Sequence, residues 1–562
     1  MGINSTPEVF KYQPLDPDRN QIRLLRILKS SPVPPPAIAS IRCEIFHINL
    51  DEFPIYNALS YTWGSPTSPK TSILLDDKLF LVRENLWMAL KRLESAAEEM
   101  VIWIDAICIN QESIPERNSQ VPKMTQIYRQ AHQVVSWLGV GNRASALAFK
   151  FVEEFGRPDV TQEWALERLG SQRLQLQALS QLFQHEYWNR MWVLQELTVA
   201  KSIIIYCGTD SINGETVIRV QRLLINIRGS GLTYGTLLAA MDNDMIAMDI
   251  VGDQGLAKLQ DWTQSAAKKN LSFLECLLLH SDRAATDARD MIYGLANIAN
   301  EKSKYKVAVD YALSTPQLYT DFARTEIEAS ETLLILTRAR LTHNTHSLPS
   351  WVPDWSAIEQ SHAFLLDARQ PQFYFKAGGS SKPEVTFSSA GLVMTTKAIV
   401  LGSIKTLGKP TNMTSDKDLD KSALAFWNWW SLIDSSDPQQ HETFAHTILA
   451  RKPDNTNQPS RLLHILGMFS DYVKELYPDK VIEPLEQYWQ AFIESSMNRR
   501  GGLLGRSYDM KIKELERDKQ IIRSWRRIFA AYCWDRRFFI SSSGRMGLAP
   551  DAAEEGDVIC IP

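Results

Sequence analysis

One short stretch constrains this chain more than any other: the apolar run Val101-Ile102-Trp103-Ile104, closed abruptly by Asp105. Four successive apolar residues leave no polar face for solvent. The run therefore reads as a strand buried on both faces, as in a sheet covered by helices on either side. An acid at the carboxyl end of such a strand stands on the edge where open α/β sheets bind ligands. The alternative is that Asp105 caps the turn that follows. The run belongs to the second of three dense blocks between residues 56 and 208. The first ends in Ala58-Leu59-Ser60-Tyr61-Thr62-Trp63-Gly64, and the third contains Arg190-Met191-Trp192-Val193-Leu194-Gln195-Glu196. Each block ends an apolar run in polar groups.

The pattern around these blocks alternates. Residues 56–61 read as a strand, followed by a turn at Trp63-Gly64-Ser65-Pro66. Residues 72–75 and 79–82 flank Asp76-Asp77-Lys78 as a hairpin. Leu86, Leu90 and Leu93 place a helix over residues 85–93, and Val121, Met124, Tyr128 and Ala131 mark another. A strand over 134–138 is closed by Gly139, the third block opens a helix carrying Glu196, and 203–206 is a last strand. Such alternation predicts an α/β domain with a parallel sheet. Ahead of it, residues 1–50 form a lead-in with two strands, 22–28 and 41–48, expected to pair at the domain's edge. The organisation that follows is a 51–208 α/β domain, a helical region over 209–362 and a mixed α/β region over 363–562.

Composition excludes several classes. The net charge is -4, which argues against a nucleic-acid partner. The six cysteines are scattered, with no Cys-x-x-Cys pair. That pattern suggests neither a zinc site nor a disulfide framework, and reduced thiols point to a cytoplasmic location. No apolar segment is long enough to span a bilayer, and no secretory signal opens the chain. Met1-Gly2-Ile3-Asn4-Ser5-Thr6 fits a myristoylation template at Gly2, without the second anchor that stable membrane binding needs. Residues 64–71 lack the second glycine of a phosphate loop. The metalloprotease and serine-hydrolase signatures are absent too. His185 reads as a surface group, and no residue set is expected to bind metal.

Taken together, the three blocks resemble the HET (heterokaryon incompatibility) domain of filamentous fungi. Trp103-Ile104-Asp105-Ala106-Ile107-Cys108-Ile109-Asn110-Gln111 carries the second block's share of the likeness. Glu116-Arg117, Met124, Ile127-Tyr128, Ala131 and Trp137-Leu138-Gly139 fit between the second and third blocks. Asp287-Ala288-Arg289-Asp290 and Leu348-Pro349-Ser350-Trp351 resemble segments found downstream of HET domains, and there Arg289 and Asp290 read as ties between helices and core. The segment from Arg536 to the end resembles the C-terminal β module of these proteins, which usually runs further.

Trp192-Val193-Leu194-Gln195-Glu196-Leu197 is also similar to the glutamate-bearing segment of TIR domains. That resemblance implies a TIR-like, flavodoxin-like α/β fold. It also implies a catalytic Glu196 acting on NAD as substrate rather than cofactor. Trp63 and Trp192 would stack on the base or ribose, and Asp105 or Asn110 would hold hydroxyls. Ser60, Gly64 and Arg190 complete the substrate-binding set. The structural alternative is an ion pair between Glu196 and Arg190 or another arginine. Three functions stay open: a cell-death effector that hydrolyses NAD, a non-enzymatic domain that signals as a homo-oligomer with an incompatibility partner, and a non-toxic accessory protein.

Overall fold

The computed structural model describes residues 8–29, 41–95, 99–229, 271–281, 283–299, 305–339, 345–357, 378–379, 381–411, 419–448, 533 and 536–562. Between 463 and 488 it describes 463, 466–467, 470, 473–474, 476–480 and 482–488. The myristoylation pattern at Gly2 lies outside the described residues. Two compact units divide the chain, residues 1–315 and 316–562.

The first unit is built on nine strands. In chain order they are β1 (Gln21–Leu28), β2 (Arg42–Asn49), β3 (Asn57–Tyr61), β4 (Lys70–Leu75), β5 (Lys78–Arg83), β6 (Met100–Trp103), β7 (Val134–Trp137), β8 (Ile203–Cys207) and β9 (Asp210–Asn213). They hydrogen-bond in the order β5-β4-β2-β1-β6-β3-β7-β8-β9. The predicted buried strand is interior: β6 lies antiparallel to β1 on one side and parallel to β3 on the other. The expected hairpin also forms. Asp76 and Asp77 both take positive φ between β4 and β5, as a two-residue turn matched to strand twist requires.

Two expectations are corrected. The sheet is mixed rather than parallel: only β6, β3, β7 and β8 form a continuous parallel block, while β1–β2, β4–β5 and β8–β9 are antiparallel pairs. The lead-in strands do not sit at the edge, because β4 and β5 extend the sheet beyond β2 while β1 pairs with β6. The reason is visible in β1 itself, whose Ile22, Arg23, Leu24, Leu25 and Ile27 are all buried. A strand covered on both faces belongs inside a sheet.

One face of the sheet packs on helix α1 (Glu84–Glu94) through Leu86, Ala89, Leu90 and Leu93. Leu59, Tyr61, Ile102, Ile104, Val135 and Trp137 meet them there. Alternation along the strands turns Ser60, Trp103 and Ser136 to the opposite face. Helix α2 (Asp105–Cys108) continues from β6, helix α3 (Ile114–Gln120) follows it, and helix α4 (Met124–Gln130) covers that second face. Helices α5 (Arg143–Phe155), α6 (Gln162–Leu169) and α7 (Arg173–Phe183) come between β7 and the third block. Tyr128 of α4 meets the Trp103 ring edge-on with centroids 5.5 Å apart.

The loop between α2 and α3 is held by a buried cation. Arg23 is 1% exposed, and its guanidinium grips Glu116 with nitrogen–oxygen distances of 2.5 and 3.1 Å. It also donates to the carbonyls of Cys108 and Gln13. Glu116 in turn accepts from the Asn110 backbone N–H at 2.7 Å. The lead-in strand thus fixes the loop leaving Asp105.

In the second unit, strands β10 (Val385–Phe387) and β11 (Met394–Thr396) form a hairpin. Strands β12 (Ile399–Leu407), β13 (Arg536–Ser541), β14 (Met546–Pro550) and β15 (Val558–Ile561) form an antiparallel sheet in the order β14-β13-β12-β15. Phe426, Trp429 and Phe444, from helices Leu419–Trp430 and Pro438–Ile448, pack around Phe538 of β13.

Replacing Arg23 by Met should strand Glu116 as an unpaired, mostly buried charge. Breaking one side of such a pair costs on the order of 3–5 kcal/mol. Thermal denaturation of the full chain should show a lower midpoint for R23M than for the double change R23M/E116Q, which removes the orphaned charge.

Candidate functional site

Helix α8 (Met191–Thr198) carries Glu196 onto the serine face of the sheet. Ser60 of β3 and Ser136 of β7 are direct neighbours in the parallel register, and both are buried. Ser60 Oγ donates to Glu196 Oε2 and lies 2.7 Å from the Tyr187 hydroxyl. Tyr128 donates its hydroxyl to the Leu59 carbonyl beside the same carboxyl. Glu196 is 2% exposed. Among the described residues no cation lies within 4.0 Å of it, so the alternative of an ion pair with Arg190 or another arginine is not seen there. Burial outweighs the attraction of Arg190 and the hydrogen bond from Ser60, and the carboxyl is pushed up to about 7. Tyr61, Tyr128 and Tyr187 around it are raised in turn, first by burial.

Asp105 sits at the end of β6, partly open to solvent. One carboxyl oxygen accepts from the Ala106 N–H at 2.7 Å, and the other accepts from the Trp63 indole N–H at 2.8 Å. Burial raises its pKa, against the pull of Arg190 and these hydrogen bonds. The Trp63 ring has the Arg83 guanidinium 5.5 Å from its centroid, and Arg83 also donates to the Gly64 carbonyl. Gly64 takes φ +71°, a left-handed conformation that glycine adopts without strain and that sends the loop back toward Arg83.

Ser60, Trp63, Asp105, Arg190 and Glu196 are thus joined by hydrogen bonds or by the field of Arg190, and Gly64 lies in the Trp63 loop. Asn110 and Trp192 have other partners. The Asn110 side chain accepts from Glu112 N in a turn tied to Glu116. Trp192 donates to Asp290 at 3.0 Å. His185 caps a short 3-10 turn through Nδ1, which accepts from the Tyr187 N–H. The hydroxyl set of Tyr61, Tyr128, Tyr187 and Ser136 was not among the sequence candidates. Tyr187 stands within the third block, but cross-strand adjacency of Ser60 and Ser136 has no signature in a single sequence.

A segment downstream of the sheet straps α8 in place. Ala284 pairs with the backbone at both Asn189 and Met191, and Arg283 donates to the Trp188 and Arg190 carbonyls. Gln195, its amide turned to accept from Thr125 N, donates to the Gly294 carbonyl. A Cβ on Gly294 would come within 2.6 Å of Met191 Cγ, so only glycine allows this contact. Asp290 also accepts from the Tyr311 hydroxyl, and burial raises it to about 6. Arg117 lies over the Tyr311 ring at 3.8 Å, while Arg289 binds Asp287 and the Tyr311 and Leu313 carbonyls. These are the ties expected of Arg289 and Asp290.

No helix of the described residues is long and apolar enough to cross a membrane. None of their His, Cys, Asp and Glu side chains cluster in a metal-binding group of three or more.

Comparison with known proteins finds similarity to one family model and to one curated protein. The model of the heterokaryon incompatibility protein (HET) family matches residues 56–196. Heterokaryon incompatibility protein 6, OR allele, from Neurospora crassa is 22% identical over 615 aligned positions. The alignment covers 92% of this chain and 86% of that protein. No solved structure matches the chain.

The raised carboxyl has a signed consequence. A folded-state pKa of about 7 against an ordinary value of 4.5 means the folded protein holds this proton more tightly than the unfolded chain. Stability therefore falls as pH rises from about 4.5 to about 7 and is flat above. Glu196→Gln removes that cost while keeping a hydrogen-bond acceptor for Ser60. At pH 8 the variant should melt a few degrees higher than wild type, a gain on the order of 1–3 kcal/mol. The gap should close toward pH 5. A lower melting point at pH 8 would contradict this reading.

Proposed function

We propose that this chain, whose residues 56–196 match the heterokaryon incompatibility family model, is an incompatibility effector that triggers cell death by hydrolysing NAD. The observation that carries the reading is Glu196 itself. A carboxyl buried without a counter-ion costs stability, and such groups cluster where chemistry needs them. The four parallel strands add support. Numbered in chain order they run second, first, third, fourth, as in flavodoxin-like sheets whose ligands sit at the carboxyl ends of the strands. That edge carries Trp63 and Asp105.

The chemistry is hydrolysis of an N-glycosidic bond. The C1′–N bond breaks, and its electron pair leaves with the nicotinamide ring, which becomes neutral. Water adds its oxygen to C1′ and releases a proton, giving ADP-ribose. The transition state has oxocarbenium character, which a fixed carboxylate stabilises. A carboxyl near pH 7 serves only in its ionised fraction, so activity rises with pH through that value. Glu196 is 2% exposed, so substrate meets it only after α8 or the Trp63 loop moves, and assembly with a partner is the natural trigger.

The same burial favours a second reading. A carboxyl closed off by Ser60 and Tyr187 is also what a non-enzymatic signalling domain would keep as a packing and hydrogen-bonding centre.

Purified full-length protein at high concentration, incubated with NAD, should release nicotinamide. The rate should rise between pH 6 and pH 8 with an inflection near 7. Glu196→Gln should lower it about a hundredfold, the usual loss for one electrostatic contact to a transition state. It should also abolish killing on overexpression. Killing that survives Glu196→Gln in a folded protein, with no nicotinamide released by wild type, would support the second reading.

A further inference from the structure

We propose that Arg190 is an anion clamp that takes the diphosphate of a dinucleotide, leaving Asp105 and Glu196 to face its cationic and hydroxylated end. This rests on the NAD reading for the identity of the ligand. The anion site itself stands on the geometry around Arg190.

The other buried or half-buried arginines of this unit dock onto protein. Arg23 grips Glu116, Arg283 binds the Trp188 and Arg190 carbonyls, Arg289 binds Asp287 and two carbonyls, and Arg117 stacks on Tyr311 beside Asp287. Arg190 departs from this rule. Among the described residues its guanidinium donates no hydrogen bond and has no carboxylate within 4.0 Å. It is nevertheless close enough to be the main attractive charge on both Asp105 and Glu196, and its field reaches Tyr61, Tyr128 and Tyr187 as well. A half-buried cation beside two acids would be expected to close onto one of them, yet this one bonds to neither.

Its backbone explains how the side chain is aimed. Arg190 N donates to the Tyr187 carbonyl, its own carbonyl accepts from Arg283, and the next N–H, Met191, donates to Ala284. The residue is pinned on both sides of its Cα, immediately before α8, while the side chain stays free. Guanidinium is a planar fork suited to two oxygens of one phosphate. Arg190 supplies one positive charge beside the two acids, Asp105 and Glu196, so the site holds charges of both signs. A pyridine dinucleotide likewise carries both, with a positive ring at one end and a diphosphate beyond the ribose.

The test uses full-length protein, with ADP-ribose and nicotinamide riboside as probes in binding calorimetry. ADP-ribose carries the diphosphate without the pyridine, and nicotinamide riboside carries the pyridine without phosphate. ADP-ribose should bind wild type at least about tenfold more tightly than it binds Arg190→Gln, with Arg190→Lys between the two. Nicotinamide riboside should bind Arg190→Gln at least as tightly as wild type, since it carries no phosphate and gains from the loss of a neighbouring positive charge. Arg190→Lys, which keeps the positive charge beside Asp105 and Glu196, should melt within about a degree of wild type, and Arg190→Gln should fold with a lower midpoint at pH 8, where the acids lose that charge. Equal ADP-ribose affinity in wild type and folded Arg190→Gln, or no binding to wild type at millimolar probe, would overturn the clamp. Nicotinamide release in the same samples separates the two claims. Arg190-dependent ADP-ribose binding without nicotinamide release keeps the clamp and rejects hydrolysis. Equal hydrolysis and KM in wild type and Arg190→Gln keeps hydrolysis and rejects the clamp.

Discussion

A carboxyl group with no cation within 4.0 Å among the described residues, buried between a helix and the middle of a β-sheet, is the constraint around which the first unit is arranged. Burying an acid is costly unless hydrogen bonds or a cation compensate it. Here the compensation comes from hydroxyls: Ser60 bonds Glu196 directly, and Tyr187 and Tyr128 stand beside it. Serine in the centre of a covered strand is otherwise a poor choice, since it gives up apolar burial. Ser60 is accounted for by the acid that α8 brings to it, and Ser136 lies directly across the strand pair.

Holding α8 over that spot requires elements well outside the block that carries the acid. The 283–294 segment bonds to the helix near its start, at Trp192 and at Gln195. Arg23, from the first strand, fixes the loop that leaves Asp105. The family-matched stretch ends at Glu196, yet the sheet it belongs to includes β1, β2, β8 and β9 beyond its limits. The folding unit is therefore larger than the recognisable motif, and the site depends on both.

How much of this was legible in the sequence follows from the range of each signal. The buried strand at Ile102 and the Asp76-Asp77 hairpin were readable because apolar runs and turn residues act locally. The placement of β1 was not, because Arg23 looks like a solvent-facing charge until Glu116, far along the chain, supplies its partner. The antiparallel neighbours of the parallel block were missed for the same reason, since strand pairing is a long-range property. At the site, Trp63, Asp105, Arg190 and Glu196 were all picked out as polar ends of apolar segments. Trp192 has a different partner because α8 turns it toward Asp290, a residue 98 positions later. Whether a charged pair closes or stays open, as with Arg190 and Glu196, depends on distances that no sequence pattern encodes.

The account turns on the ionisation of one group, and that is directly measurable. Infrared difference spectra of the carboxyl region, wild type minus Glu196→Gln, recorded from pH 4 to pH 9, isolate the Glu196 titration. A protonated carboxyl band that disappears with a midpoint near pH 7 is the predicted result. A midpoint near 4.5, the ordinary value for glutamate, would mean that the carboxyl is solvated or ion-paired in solution and would contradict the account.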